Sequence, residues 1–309
     1  MNKPKITIVL TTYNRSHYLK KAIESILDQS YSNFKLIILD NGSKDNTKDI
    51  VSTFNDIRIN YIRSEINSKE FINTAFNFTN CEYFMITHDD DIMMKDFLRR
   101  SINFLDKNLN YSLAASSLKL IDKDGKRLKK IRPRLFSNKS WTQFEFIKTY
   151  MFRGDIIPCP TIIYRSVLIK DNNLNYNWKV GPAVDLHLLF RINILETKIY
   201  LFKDALYNYR VHNNQDSNQN RLALEYQVRP YIISLLNQAL LPRLSKNYQN
   251  ASLGIILHIC INNFINGELN FKDFKIEIKK LHTENIKLNF YTIYWTIIGI
   301  LRGLKNKLT

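Results

Sequence analysis

Short apolar runs alternate with amphipathic stretches over residues 1–100. KITIVLTTY, from Lys5, is an apolar run short enough for one strand. In the stretch that follows, HYLKKAIESILDQ, Leu19, Ala22, Ile23, Ile26 and Leu27 fall on one helical face. FKLIILD predicts a second buried strand, NGSKDNT a loop, and Ile50, Val51 and Phe54 a second helix. INYIRS, EFINTAFNF and YFMIT then predict strand, helix and strand. Strands alternating with helices in this way predict an α/β fold with a mostly parallel, doubly wound central sheet. Ligands of such sheets bind at the carboxyl ends of the strands. Thr11 and Tyr13, Asp40 and Asn41, and Asp89 to Asp91 all fall at such ends.

Beyond residue 100 the pattern is mixed. SLKLIDKDGKRLKKI predicts a hairpin turning at Asp124-Gly125, and the basic residues between 123 and 139 are expected on a solvated loop. From about 216 onward the apolar spacing is helical, as in RPYIISLLNQALL and SLGIILHICINNF. No internal repeat and no Gly-rich phosphate loop occurs. The expected organisation is one domain over 1–215, with halves 1–100 and 101–215, and a helical C-terminal region over 216–309.

Charge narrows the partners. Lys+Arg 45 against Asp+Glu 28 gives a net charge of +17, which favours an anionic ligand or surface. The 3 cysteines are scattered and form no C-x-x-C pair, consistent with reduced thiols and against a zinc site. ITIVL is too short for a secretory core, so the start is read as a strand and the chain as cytoplasmic. The apolar stretch Leu288 to Leu301 falls short of the ~20 residues a bilayer requires.

The acidic run carries the chemistry. In YFMITHDDDIMM a buried strand ends in His88, Asp89, Asp90 and Asp91. Adjacent carboxylates repel and resist desolvation. Either they favour the N-terminus of the helix MKDFLRR, or they hold a hard cation. One Asp would satisfy the first account. Three after a core strand favour Mg²⁺ or Mn²⁺, with coordination completed by substrate phosphates. The order of ligands excludes an EF-hand.

The opening ITIVLTTYNRSHYLKKAIESILDQSYSNFKLIILDNGSKDNT, together with HDDD, resembles the inverting, nucleotide-sugar-dependent glycosyltransferases of family 2, with the A-type (GT-A) glycosyltransferase fold. The resemblance covers roughly residues 4–215. It implies that Tyr13 stacks on the nucleotide base with Thr11 beside it, and that Asp40 and Asn41 border base and ribose. Asn41 stands where the family carries a second acid; its amide can still accept from or donate to a base. Asp90 would bind the metal, Mn²⁺ or Mg²⁺, with Asp89 at the ribose or metal. Asp91 would support the metal site and His88 is either a ligand or a neighbour of one. In VGPAVDLHLLFRI, Asp185 would deprotonate the acceptor hydroxyl; the alternative is a helix N-cap, and the base is favoured because Val184 leaves Asp185 the one carboxylate there. LYNYRVHNNQDS would bring His212 to the metal and Arg210 to the diphosphate. The family's phosphate-binding Arg is missing at Phe71-Ile72-Asn73, and Lys69 is the available substitute.

The resemblance implies transfer of one sugar, a UDP-sugar favoured, to a saccharide acceptor with inversion. The segment 288–309 is aromatic-rich with basic residues, and it fits either an anionic membrane interface or a helix packed on the domain. The first alternative would make the acceptor lipid-linked, as in bacterial capsule or O-antigen assembly, with the protein peripheral on the inner face of the plasma membrane. Two rival readings remain: a nucleic-acid-binding protein, which lacks a recognisable module, and a sugar-phosphate nucleotidyltransferase, whose Gly-rich opening is absent. No nucleic acid partner is expected.

Overall fold

The computed structural model describes residues 3–154, 157–212, 215, 221–283 and 290–308. Its elements in chain order are β1 (Ile6–Thr12), α1 (Ser16–Leu27), β2 (Phe34–Asp40), α2 (Thr47–Ser52), β3 (Ile59–Arg63), α3 (Lys69–Asn73), β4 (Tyr83–His88), β5 (Ile92–Met93) and α4 (Phe97–Lys107). Then follow β6 (Tyr111–Ile121), β7 (Arg127–Arg132), β8 (Lys139–Trp141), α5 (Glu145–Arg153), β9 (Ile163–Arg165), α6 (Ser166–Asp171), α7 (Val184–Ile194) and β10 (Lys198–Arg210). The chain continues through α8 (Arg221–Gln238), α9 (Pro242–Ile265), α10 (Phe271–Thr283) and α11 (Phe290–Leu308).

Two compact units emerge. The first comprises residues 1–143, 156–178 and 195–213; the second comprises 144–155, 179–194 and 214–309. The helical unit therefore takes in α5 and α7 as well as the C-terminal helices, a division the chain order around residue 215 did not reveal.

The first unit is built on a 10-stranded sheet in the order β3-β2-β1-β4-β9-β6-β10-β5, with β7 on β6 and β8 on β10. β3, β2, β1 and β4 run parallel. Their near-continuous apolar runs are what a strand covered on both faces needs: Ile6, Ile8, Val9 and Leu10 of β1 and Leu36, Ile37 and Ile38 of β2 are all 0% exposed. The short β9 runs antiparallel to both β4 and β6 and so interrupts the parallel order. α1 lays Leu19, Ala22, Ile23 and Ile26 on the core. The stretch expected as one helix after β3 is α3 followed by a 3-10 turn over Thr74–Phe78. The hairpin at Asp124-Gly125 forms as expected between β6 and β7. Gly125 takes the positive φ of 88 and all six residues of β7 are exposed.

Among the described residues of the second unit the regular elements are helices. α11 packs on α9 through Thr292, 3% exposed, and Trp295, 1% exposed. The Trp295 Nε1–H donates to the Met151 carbonyl at 2.7 Å. On the opposite side Phe290, Ile293, Ile297, Ile300, Leu301 and Leu304 are exposed, between 42 and 66%. Among the described residues, no helix is long and apolar enough to cross a membrane.

Candidate active site

Register places the candidate residues side by side. Thr12 of β1 lies opposite Asp40 of β2, and Thr11 opposite His88 of β4, so three parallel strands end together. The chain past β4 does not enter a helix: β5 intervenes before α4, whose first turn holds no acid. Asp89, Asp90 and Asp91 are therefore not helix-capping residues. They are 1%, 5% and 2% exposed.

Desolvation of such a cluster is costly, and the structure answers it with specific partners. The Arg15 Nη1 lies 3.2 Å from Asp89 Oδ1 and 3.3 Å from Asp90 Oδ2. His212 Nε2 lies 2.9 Å from the same Asp90 Oδ2, and the backbone N–H of Tyr13 donates to Asp89 Oδ2 at 3.4 Å. Asp91 accepts the backbone N–H of Arg210 at 2.9 Å through Oδ1, while its Oδ2 is buried without a hydrogen-bond partner. Burial, with the neighbouring Asp90 charge second, pushes the Asp89 carboxyl up to about 7; Arg15 opposes the shift. The same two causes hold Asp91 well above the ordinary carboxylate range.

Hard oxygen donors with one imidazole suit a divalent cation. Among the described residues no group of three or more His, Cys, Asp or Glu is arranged to hold a metal alone. Asp90 and His212, 2.9 Å apart, are the carboxylate and imidazole that the acidic run brings together.

The nucleotide-side residues divide into one exposed ring and a supporting wall. Tyr13, just past the end of β1, is 39% exposed. The Thr11 hydroxyl donates to the Thr87 carbonyl and sits 3.2 Å from His88 Nδ1, so both side chains serve the strand ends. Asp40 is 0% exposed; its oxygens accept from the Ser43 N–H at 2.8 Å and the Tyr61 hydroxyl at 2.5 Å. Asn41 has both ends engaged: its Nδ2 donates to Asn67 Oδ1 at 2.7 Å and its Oδ1 accepts the Ser68 N–H at 2.9 Å. Asn41, with the Asp40 backbone carbonyl that accepts the Ser64 N–H at 2.9 Å, thus pins the loop over 64–68, while the Asp40 carboxylate is taken up by Ser43 and Tyr61. Gly42 makes this possible. At φ +83 it lies so near that loop that a Cβ there would stand 2.8 Å from the Ile66 carbonyl carbon.

Two expected phosphate ligands lie elsewhere. Arg210 is 2% exposed, and its guanidinium donates to the backbone carbonyls of Asp90, Asp122 and Lys123 at 2.8, 3.1 and 3.0 Å. It ties the acidic run to the β6–β7 turn, and a buried cation so engaged is a strut, not a diphosphate clamp. Lys69 is exposed at the start of α3 with its ammonium 5.9 Å from the centre of the Trp178 ring, and it makes no ion pair among the described residues. Asp185 lies in the first turn of α7, in the second unit, where its Oδ1 accepts the Leu186 N–H at 2.8 Å. Two residues on in the same helix His187 is buried; its Nδ1 finds no partner and burial drives it down to about 4.

Sequence reasoning passed over Arg15. The available signal was a cation two residues beyond the strand-end tyrosine; its partners lie more than seventy positions on and could not be read from spacing.

Comparison with known proteins gives the same frame. The family model Glycosyl transferase family 2 matches residues 7–171. An uncharacterised glycosyltransferase of Methanocaldococcus jannaschii is 28% identical over 222 residues, 70% of this chain and 74% of that protein. One of Rickettsia typhi is 24% identical over 70% of this chain and 66% of its own length. Among solved structures, S. aureus TarS 1-349 in complex with UDP-GlcNAc superposes with a TM-score of 0.61 at 16% identity, covering 99% of this chain and 92% of that one. The mannosyltransferase PcManGT from Pyrobaculum calidifontis, in complex with GDP-Man and Mn²⁺, gives a TM-score of 0.57 at 14% identity, covering 99% and 89%. These likenesses establish the GT-A type of α/β fold.

Proposed function

The chain belongs to glycosyl transferase family 2 and is a transferase, and on that premise we propose that it moves one sugar from a nucleotide-sugar donor, a UDP-sugar in preference, to a saccharide acceptor with inversion. The observation that carries this reading is the buried acidic run at the end of β4, held between Arg15 and His212 beside the exposed ring of Tyr13. Donor class is supported by the neighbours, which bind UDP, UDP-GlcNAc and GDP-Man.

The residues have the following parts in this reading. Tyr13 stacks on the base; Asp40 and Asn41 hold the loop over 64–68 that walls the base pocket, and Thr11 keeps the end of β1 against β4. Asp89 meets the ribose. Asp90, with His212, holds Mn²⁺ or Mg²⁺, and Asp91 orients the run through the Arg210 backbone. The bound metal supplies charge neutralisation at the departing diphosphate. Asp185 takes the acceptor proton as the hydroxyl attacks the anomeric carbon from the face opposite the leaving group. Arg210 acts from behind, fixing the Asp90 backbone.

The acceptor is proposed to be lipid-linked, in assembly of a bacterial surface polysaccharide, with the protein peripheral on an anionic membrane. The support is the apolar face of α11, which a helix serving only as packing would not need to expose.

A panel of nucleotide sugars screened for slow metal-stimulated hydrolysis tests the donor without knowledge of the acceptor. At least one UDP-sugar should be consumed. Once the acceptor is found, Asp185→Asn should retain UDP affinity and lose about 10²–10⁴-fold in turnover. Near-normal turnover in that variant would remove Asp185 from the mechanism.

A further inference from the structure

The hairpin of β6 and β7 carries a charge that the donor site does not use. Residues 123–134 hold seven lysines and arginines against one acid, Asp124. All seven are exposed, and none enters an ion pair among the described residues. Like charges about 7 Å apart along one side of a strand repel one another. A charged edge strand does resist pairing with another chain, and β7 pairs only with β6 among the described residues. That purpose needs no run of seven.

The ribbon is tied down at both ends. In its turn Asp122 Oδ1 accepts the N–H groups of Asp124 and Lys126 at 3.0 and 2.8 Å. The Arg210 guanidinium donates to the Asp122 and Lys123 carbonyls as well as to that of Asp90. Past β7 the Ser117 hydroxyl donates to the Pro133 carbonyl at 3.0 Å, and Asn138 Oδ1 accepts the Lys203 N–H at 3.0 Å. Between those last two anchors the Phe136 side chain is 94% exposed. Alternation along β7 puts Arg127, Lys129 and Ile131 on one side and Leu128, Lys130 and Arg132 on the other. Leu128 and Ile131 are 38% and 45% exposed, so each side offers two cations and one aliphatic side chain to solvent. A linear polyanion lying along the strand would meet one side and gives the Phe136 ring no apolar cover. The headgroup layer of an anionic bilayer surrounds both sides and receives an aromatic ring at its boundary with the acyl chains.

We propose that the β6–β7 ribbon, with Phe136, is a docking surface for an anionic lipid bilayer. The inference rests on the peripheral-membrane reading above and gives the first unit an anchor of its own, separate from α11. An apolar face and a polybasic patch are the two kinds of contact that together make peripheral binding stable. Because Arg210 ties the turn of the ribbon to the Asp90 carbonyl, docking holds the end of β4 at a set distance from the lipid surface.

Partition of the full chain onto vesicles of phosphatidylcholine, alone and mixed with phosphatidylglycerol, tests the ribbon. Lys129→Glu combined with Lys130→Glu reverses one charge on each side of β7. It should lower the partition coefficient on mixed vesicles by at least about tenfold and leave the melting temperature unchanged. Phe136→Trp reports the contact locally: brominated lipid in the mixed vesicles should quench its fluorescence beyond the quenching of wild type, which has 3 tryptophans of its own. Wild-type binding that the double variant retains, or quenching equal in Phe136→Trp and wild type, overturns the ribbon and leaves α11 as the membrane contact. A double variant that loses affinity for soluble polyphosphate while partitioning as wild type does would make the ribbon a polyanion site, and overturns the lipid assignment too. A wild type that ignores mixed vesicles altogether overturns both the ribbon and the membrane reading.

Discussion

The acidic run shows how one residue's chemistry is set by its burial. Asp89 in the folded chain keeps its proton up to about pH 7, while an ordinary carboxyl releases it near 3.8. Between those values the native state binds more protons than the unfolded one, so the contribution of this group to stability is complete below about pH 4 and is lost as pH rises through 7. Replacing Asp89 by Asn removes the charge that has to be desolvated. In metal-free protein, the melting temperature of Asp89→Asn relative to wild type should therefore rise steadily from pH 4.5 to pH 8. A difference that stays flat over that range would show that the carboxyl is not held in its neutral form. At this scale the sequence was only partly legible. Three acids after a core strand marked the end of β4 as a candidate site, and the resemblance singled out Tyr13 and Asp90 there. That Arg210 is consumed by the carbonyls of Asp90, Asp122 and Lys123, and that Asn41 is spent on Asn67 and Ser68, depends on contacts between residues distant in the chain. No local pattern encodes these.

Among the elements, those with a strong period were readable. β1, β2 and β4 are apolar runs of strand length, and α1 carries its buried residues at helical spacing. β9 and β5, at 3 and 2 residues, have no period to detect, yet β9 lies between β4 and β6 and makes the sheet mixed. Elements also meet where a side chain would not fit. The turn after β2 approaches the loop over 64–68 at Gly42, and an added Cβ would meet the Ile66 and Asn67 backbone at 2.8 and 3.0 Å. Backbone cannot yield as a flexible side chain does. Gly42→Ala should cost about 1–3 kcal/mol in denaturant unfolding and push the loop outward, weakening nucleotide binding more than it weakens the fold. Unchanged nucleotide affinity in a folded Gly42→Ala protein would detach that loop from the base pocket.

At the level of the whole molecule, a net charge of +17 goes with an exposed apolar face on α11. The sequence offered packing or membrane contact for this segment; the structure shows that one face packs, through Trp295, and that the other face is exposed. The protein should float with vesicles containing anionic lipid and remain behind with neutral ones, and Ile297→Asp should abolish flotation without unfolding the chain. Equal recovery of that variant on anionic vesicles would free α11 from any membrane role. All of this is secondary to the proposed pairing of metal and nucleotide at the end of β4. Calorimetric titration of UDP into wild type and Asp90→Ala, each with and without Mn²⁺, tests it most directly. Wild type should bind UDP far more tightly with Mn²⁺, and Asp90→Ala should lose that gain while melting cooperatively. UDP binding that ignores the metal, or that survives Asp90→Ala unchanged, would contradict the account.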